Sequence, residues 1–155
     1  MTRVKPEISI EQLTSFSSHD ADALRELTTT IGKNYKPLTD DDLTEICKSP
    51  TTILLIAREA EGKKIVGMIT LAIYRIPYVK KAYLDDLAVD ETYRGLGIGS
   101  TLLNKAIALA KEKRAAYVDF TARPTREKSN KLYDKLGFAK RETNVYRLTL
   151  DHAEA

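Results

Sequence analysis

Cysteine, histidine and long apolar runs are all scarce in this chain, and each scarcity removes a class of chemistry. Cys47 is the single cysteine in 155 residues, so no internal disulfide can form and a thiolate-rich structural zinc site has no ligands. His19 and His152 are the only histidines. One sits in a polar stretch and the other in the last few residues, a poor basis for a histidine metal site or a Ser-His-Asp triad. Aliphatic runs such as residues 53–57 fall far short of the roughly 20 apolar residues a membrane helix needs. No apolar core follows the polar start MTRVKPEISIEQL, which predicts a cytoplasmic protein with no membrane partner. An excess of one charge is lacking too. The 25 Lys and Arg stand against 22 Asp and Glu, leaving +3, and the basic residues are scattered, which argues against a nucleic-acid partner. No internal repeat, low-complexity tract or Gly/Ser/Pro-rich linker interrupts the chain, so residues 1–155 read as a single domain.

What is present has the balance of a globular protein, 43% hydrophobic and 30% charged. Leu24, Leu27 and Ile31 mark a helix over 21–31. Thr39, followed by Asp40, Asp41 and Asp42, reads as the N-cap of a second helix to Cys47, with Leu38 stapled onto Leu43. Residues 53–60 and 65–76 flank a polar turn at 61–64 as an antiparallel hairpin, and 82–89 form a third strand. Leu102, Leu103, Ala106, Ile107 and Ala110 recur at helical spacing, predicting a helix over 100–114. A strand over 116–121 and a helix over 126–136 follow, the latter stopped by Gly137 with Phe138 as the hydrophobic contact beyond it. Strands at 138–142 and 145–150 finish the chain. The fold class implied is α+β: a central mixed, mostly antiparallel sheet with helices on both faces.

The segment LDDLAVDETYRGLGIGS, residues 84–100, carries the chemistry. Gly95, Gly97 and Gly99 let the backbone approach a ligand closely, just before a helix whose first amides have no partner of their own. Those amides and the helix dipole favour a phosphate or pyrophosphate, and Arg94 adds donors suited to its oxygens. The lysine of a P-loop is missing at Gly99-Ser100, and the spacing GxGxxG of a dinucleotide site is not met.

RGLGIGS after a strand ending in Val89 resembles the acetyl-CoA signature of the GNAT superfamily of N-acetyltransferases. The run KLYDKLGF at 131–138 resembles a helix and following strand of the same family, and the likeness extends over roughly residues 52–150. The resemblance implies acetyl-CoA as the acetyl donor and a direct transfer to a primary amine within a ternary complex. It implies cofactor contacts from Leu87, Ala88 and Val89 of the strand, from Arg94, Gly95, Leu96, Gly97, Ile98, Gly99 and Ser100 of the loop, and from the helix after 125. Many members carry Asn at the start of that helix; here the matching position is Arg126, with Asn130 one turn on. The strand of Leu87 to Val89 would splay from the one near 117–121, leaving a gap for the pantetheine arm. A backbone N–H at Leu87 or a neighbour would then stabilise the oxyanion.

By the same resemblance Tyr133 is the general acid that protonates the departing thiolate, although a helical tyrosine beside Leu132 and Leu136 also suits a core. Asp85 and Asp86 are the carboxylates nearest the reaction. Strict strand alternation sends them to opposite faces, and each is open to two readings, a base for the amine or an ordinary salt bridge. Cys47, with no base beside it, reads as a small buried hydrophobe, which disfavours an acyl-enzyme route. Tyr74, Tyr78 and Tyr83 are candidates to line an acceptor pocket or simply pack on strands. The acceptor itself, an amine-bearing small molecule or protein, is not legible. The alternative function is a non-catalytic acyl-CoA-binding or regulatory module, against which Tyr133 argues. Strand pairing through 145–150 offers a route to a homodimer.

Overall fold

The computed structural model describes residues 4–32, 36–61 and 63–150. Its sheet is organised around two strands buried on both sides. In β2 (Thr52–Glu59) residues 53–57 are buried without a break, as are residues 65–69 of β3 (Ile65–Ile76). Consecutive burial requires layers over both faces. Around this pair, β1 (Ile8–Gln12) and β4 (Val79–Val89) each run antiparallel, and β5 (Val118–Asp119) closes the order β1-β2-β3-β4-β5 by pairing parallel to β4. The mixed, mostly antiparallel sheet expected from the sequence is therefore present.

One face is covered by α1 (Ser18–Thr29) and α2 (Asp40–Lys48), whose Leu24, Leu27 and Leu43 join Leu54, Ile56 and Met68 in one buried cluster. Leu38, Ile46 and Cys47 pack against its margin. Both helices start with a capping box. Thr39 accepts from the Asp42 amide at 3.1 Å and Asp42 returns to the Thr39 amide at 2.8 Å, while Ser17 and Asp20 do the same for α1. Asp20 also holds the Arg58 guanidinium at 2.8 Å, and Arg58 reaches Glu11 at 2.8 Å. This links α1 and β1 to β2. Burial alone pushes the Asp20 carboxyl up, but the bonds from Arg58 and Ser17 outweigh it and hold the group below the usual carboxylate range.

The opposite face carries α3 (Ile98–Glu112), with Leu102, Leu103, Ala106 and Ala110 buried. Gly67 sets how closely it sits. A Cβ there would meet Leu102 Cδ1 at 3.1 Å, the Ala88 carbonyl oxygen at 3.3 Å and Ile98 Cγ2 at 3.3 Å.

Three expectations need correction. A strand at 8–12 was not anticipated, although Ile8 and Ile10 alternate with polar residues as a half-buried edge strand does. The strand expected over 116–121 is reduced to Val118–Asp119. The two terminal strands, 138–142 and 145–150, are not formed among the described residues. Residues up to Phe120 form one compact unit and those from Thr121 a second. Within the second unit the regular structure is the helix α4 (Glu127–Lys135), and Val145, Tyr146 and Leu148 are strongly exposed. A β-prone pattern needs an edge to pair with, and without one its backbone groups stay with water. His152 and the turn residue Gly62 lie outside the described residues.

The Gly67 contact yields a test. Gly67→Val forces α3 off β3 and is expected to destabilise the fold by about 1–3 kcal/mol, the usual cost of overpacking. A lower urea midpoint with an unchanged slope would report it.

Candidate active site

The site is built where β4 departs from regular pairing. Thr70 lies opposite Asp85 but Met68 lies opposite Ala88, so Ile69 alone faces both Asp86 and Leu87. This is a β-bulge, and Asp86 takes φ +56 to make it. Aspartate is among the few side chains that tolerate the left-handed region. The strict alternation expected for Asp85 and Asp86 is thus broken at Asp86. The two carboxylates are also not independent.

Both remain exposed, yet the surrounding protein removes enough water to push each carboxyl above the usual range. For Asp85 the neighbouring Asp86 charge adds to that. Neither side chain has a hydrogen-bond or ion-pair partner among the described residues. Asp90 at the end of the same strand behaves differently. Burial pushes it up, but Thr92 donates to it at 2.9 Å from its amide and 2.8 Å from its hydroxyl, and Lys64 approaches at 3.1 Å, so it is held low.

Beyond the bulge β4 has a free side. The Asp90 amide donates to the Val66 carbonyl at 2.8 Å. Two-residue alternation back from it puts the amides of Val89 and Leu87 on the edge away from β3. Among the described residues that edge is paired with β5 only at Ala82 and Tyr83, so from Leu84 onward its backbone amides are open to an added strand-like ligand.

A single turn over Glu91–Tyr93 leads into the glycine loop. Gly95 and Gly97 adopt φ +78 and +79, and the space a Cβ would take at either position is open. Gly97 is the N-cap of α3 and supplies no side chain to its amides. The helix starts at Ile98, two residues before the start expected at Ser100. Its first helical bond runs from Thr101 to the Gly97 carbonyl at 3.0 Å, leaving the amides of Ile98, Gly99 and Ser100 without intrahelical acceptors. Arg94, four residues before the helix, is largely exposed, 3.7 Å from Glu91 and donating from Nε to the Val89 carbonyl at 3.4 Å. Open backbone, orphan amides and a guanidinium form a donor set that fits phosphate oxygens.

In the second unit, α4 ends in the motif expected for Gly137. The Phe138 amide donates to the Tyr133 carbonyl at 3.0 Å and the Gly137 amide to Asp134 at 3.1 Å, with Gly137 at φ +89. The rings of Tyr133 and Phe138 meet edge to face at 6.3 Å, which is the hydrophobic contact that accompanies this cap. Asn130 turns its amide nitrogen to the carbonyls of Arg126 at 3.0 Å and Arg123 at 3.1 Å. It thereby fixes the loop that leads into α4, where Arg126 is the N-cap.

Among the described residues no group of three or more His, Cys, Asp and Glu is placed to hold a metal ion, and no helix is long and apolar enough to cross a membrane. Burial pushes the Cys47 thiol up, away from nucleophilic thiolate character.

A strand bulge, an edge left open beyond Tyr83 and a glycine loop opening a helix thus follow one another along the chain. The chain belongs to the acetyltransferase (GNAT) family, whose sequence model matches residues 21–138. Over 95 residues, 61% of this chain, it is 33% identical to N-alpha-acetyltransferase 30 of Homo sapiens, covering 26% of that protein. Over 87 residues it is 32% identical to an uncharacterized N-acetyltransferase of Methanocaldococcus jannaschii, covering 38% of it. The chain thus spans well under half the length of these curated relatives. Among solved structures, a Trypanosoma brucei acetyltransferase superimposes with a TM-score of 0.77 at 23% identity, over 93% of this chain and all of the other. An aminoglycoside acetyltransferase from a soil metagenome does so with a TM-score of 0.77 at 22% identity, over 93% of this chain and 97% of the other. At these identities the likeness is one of fold.

The raised carboxyls predict a pH signature. The folded pKa of Asp86 lies above its unfolded value, so the folded chain binds the extra proton between the two. Stability is therefore lost as pH rises through that window, and the penalty is constant above it. Asp86→Asn, which keeps a residue tolerant of φ +56, should gain thermal stability relative to wild type as pH is raised from 4 to 8. An equal difference in Tm at both ends of that range would count against the desolvated carboxylate.

Proposed function

We propose that this protein is an acetyl-CoA-dependent N-acetyltransferase that acetylates a primary amine by direct transfer. The observation that carries this reading is the free edge of β4 followed, one turn and a glycine loop later, by the uncapped N-terminus of α3. Bound acetyl-CoA supplies a thioester acyl group; everything else in the reaction falls to the chain. The orphan amides of Ile98, Gly99 and Ser100, with Arg94, are suited to the pyrophosphate. Gly95, Leu96 and Gly97 give the backbone room for it. The edge amides of Val89 and Leu87 are suited to the extended pantetheine arm and, at Leu87, to the thioester oxygen as it gains negative charge; Ala88 between them pairs toward β3.

The amine has to lose a proton before it can attack. Asp86 and Asp85, with raised pKa values and no competing partner, are the bases for that proton, directly or through a water. Tyr133 is assigned as the acid for the departing thiolate, on the strength of the KLYDKLGF motif. Asn130 acts by positioning the loop at Arg126, so the contact that Asn makes in many relatives passes here to Arg126 or the loop backbone. The relatives named for N-alpha acetylation favour an α-amine at a peptide N-terminus as the acceptor, and the aminoglycoside neighbour defines the competing class.

Calorimetric titration with acetyl-CoA tests the cleft, and one-to-one binding is expected. Gly97→Glu, which adds both a side chain strained at φ +79 and a negative charge, is expected to abolish binding in a folded protein. Unaltered binding in that variant would overturn the loop assignment. In turnover assays that follow CoA release with peptides and aminoglycosides, Tyr133→Phe should lower kcat at least tenfold while the dissociation constant for acetyl-CoA changes little. Full activity in that variant would remove Tyr133 from the reaction.

A further inference from the structure

At the far end of α3 from the glycine loop lies a cleft of about 690 Å³, within the roughly 300–1,000 Å³ range of small-molecule sites. Its lining draws cations from three separate elements: Arg75 from the end of β3, Lys80 from the start of β4, and Lys113 and Arg114 just after α3. Glu112 is the one carboxylate among them. A chain whose net charge is only +3 therefore gathers four cations around one cavity. Among the described residues no carboxylate holds Arg75, Lys113 or Arg114.

A helix C-terminus ordinarily repels anions, because its last carbonyls carry the negative end of the dipole. Here most of those carbonyls are occupied. The Ala115 amide donates to the Ala110 carbonyl at 2.9 Å and the Arg114 amide to Lys111 at 2.9 Å, while Lys80 Nζ donates to the Lys113 carbonyl at 3.2 Å. The cap places Arg114 at φ +62, a position that glycine fills without strain and an arginine does not. A strained residue that contributes a charge to a cavity is a reason to look for a ligand. Ile53 and Ile73 form an apolar wall of the same cleft, leaving room for more than a bare anion; the Tyr74 ring lies on the other face of β3, under Lys81.

We propose that this cleft is a second ligand site, distinct from the glycine loop, that binds a small molecule carrying a phosphate group on an apolar body. The guanidinium groups of Arg75 and Arg114 hold the phosphate, and the Ile53 and Ile73 wall receives the body. The site is independent of acetyl transfer.

Phenyl phosphate and inorganic phosphate are the probes, each titrated into the nitrogen-15-labelled protein near pH 7.5, where both are largely dianionic. Phenyl phosphate should shift the amides of Arg75, Lys80, Lys113 and Arg114 in a saturable way and bind at least threefold tighter than inorganic phosphate. Shifts confined to residues 94–100, or no shifts at all, would overturn the proposal. Equal affinity for the two probes would overturn the role of the apolar wall. Arg114→Gly relieves the left-handed strain, so it should melt higher than wild type and yet bind phenyl phosphate at least fivefold more weakly. Undiminished binding in that stable variant would exclude the arginine, and the site with it.

Discussion

The closeness of α3 to the sheet at Gly67 is the constraint on which the proposed donor-binding cleft depends. One missing Cβ brings together the first residue of α3, Ile98, a residue one turn on, Leu102, and the carbonyl of Ala88 in β4. Ala88 lies between the two edge amides, at Leu87 and Val89, while Ile98 opens the helix whose first amides face the glycine loop. A contact deep in the core therefore fixes the spacing between two rows of backbone donors that belong to different elements. Preorganised donors are useful only when their relative position is held, and here packing does the holding. The donors themselves are backbone groups, which is why the segment tolerates three glycines within five residues.

The carboxylates divide by the company they keep. Asp20 and Asp90 both lose water on folding, and in both the gain from Arg58 and Ser17, or from Thr92 and Lys64, exceeds that loss, so they stay ionised and bind structure together. Asp85 and Asp86 suffer the same loss with nothing to offset it, and their pKa values rise. An unpaired, partly desolvated carboxylate at a strained backbone position lowers stability without any local return. That imbalance, more than the presence of acid residues on a strand, separates these two from Asp20 and Asp90.

Much of this was legible in the sequence because the signals were local. Thr39 with Asp42 three residues later, Gly137 before Phe138, the limits of β3 and the helix behind RGLGIGS each depend on neighbours within a few positions. The bulge was not legible, since two adjacent aspartates in a strand read as simple alternation, and only the pairing of Thr70 and Met68 with β4 shows the extra residue. The ion pairs of Arg58 were hidden for a similar reason: Glu11, Asp20 and Arg58 meet only once β1 lies beside β2. The pattern at 145–150 erred in the other direction. Its alternation of apolar and polar residues states a propensity, and a strand needs a partner that the pattern does not contain.

The helix α3 illustrates how one element acquires opposite surroundings at its two ends. At its N-terminus the dipole, the orphan amides and Arg94 act in the same sense, and the glycine cap leaves them accessible. At its C-terminus the dipole works against an anion, and a site there has to silence the carbonyls before it can present positive charge. The cap through Ala115 and Arg114 and the bond from Lys80 do this with groups that also belong to the cleft. Lys80 satisfies the helix end, while Arg114 closes the cap through its backbone and leaves its side chain to the cavity. Because backbone and side chain of Arg114 serve separate ends, the strain at this residue and the charge it contributes can be separated by a single substitution, a separation that Asp86 on β4, where the side chain itself carries both the desolvation penalty and the proposed chemistry, does not allow.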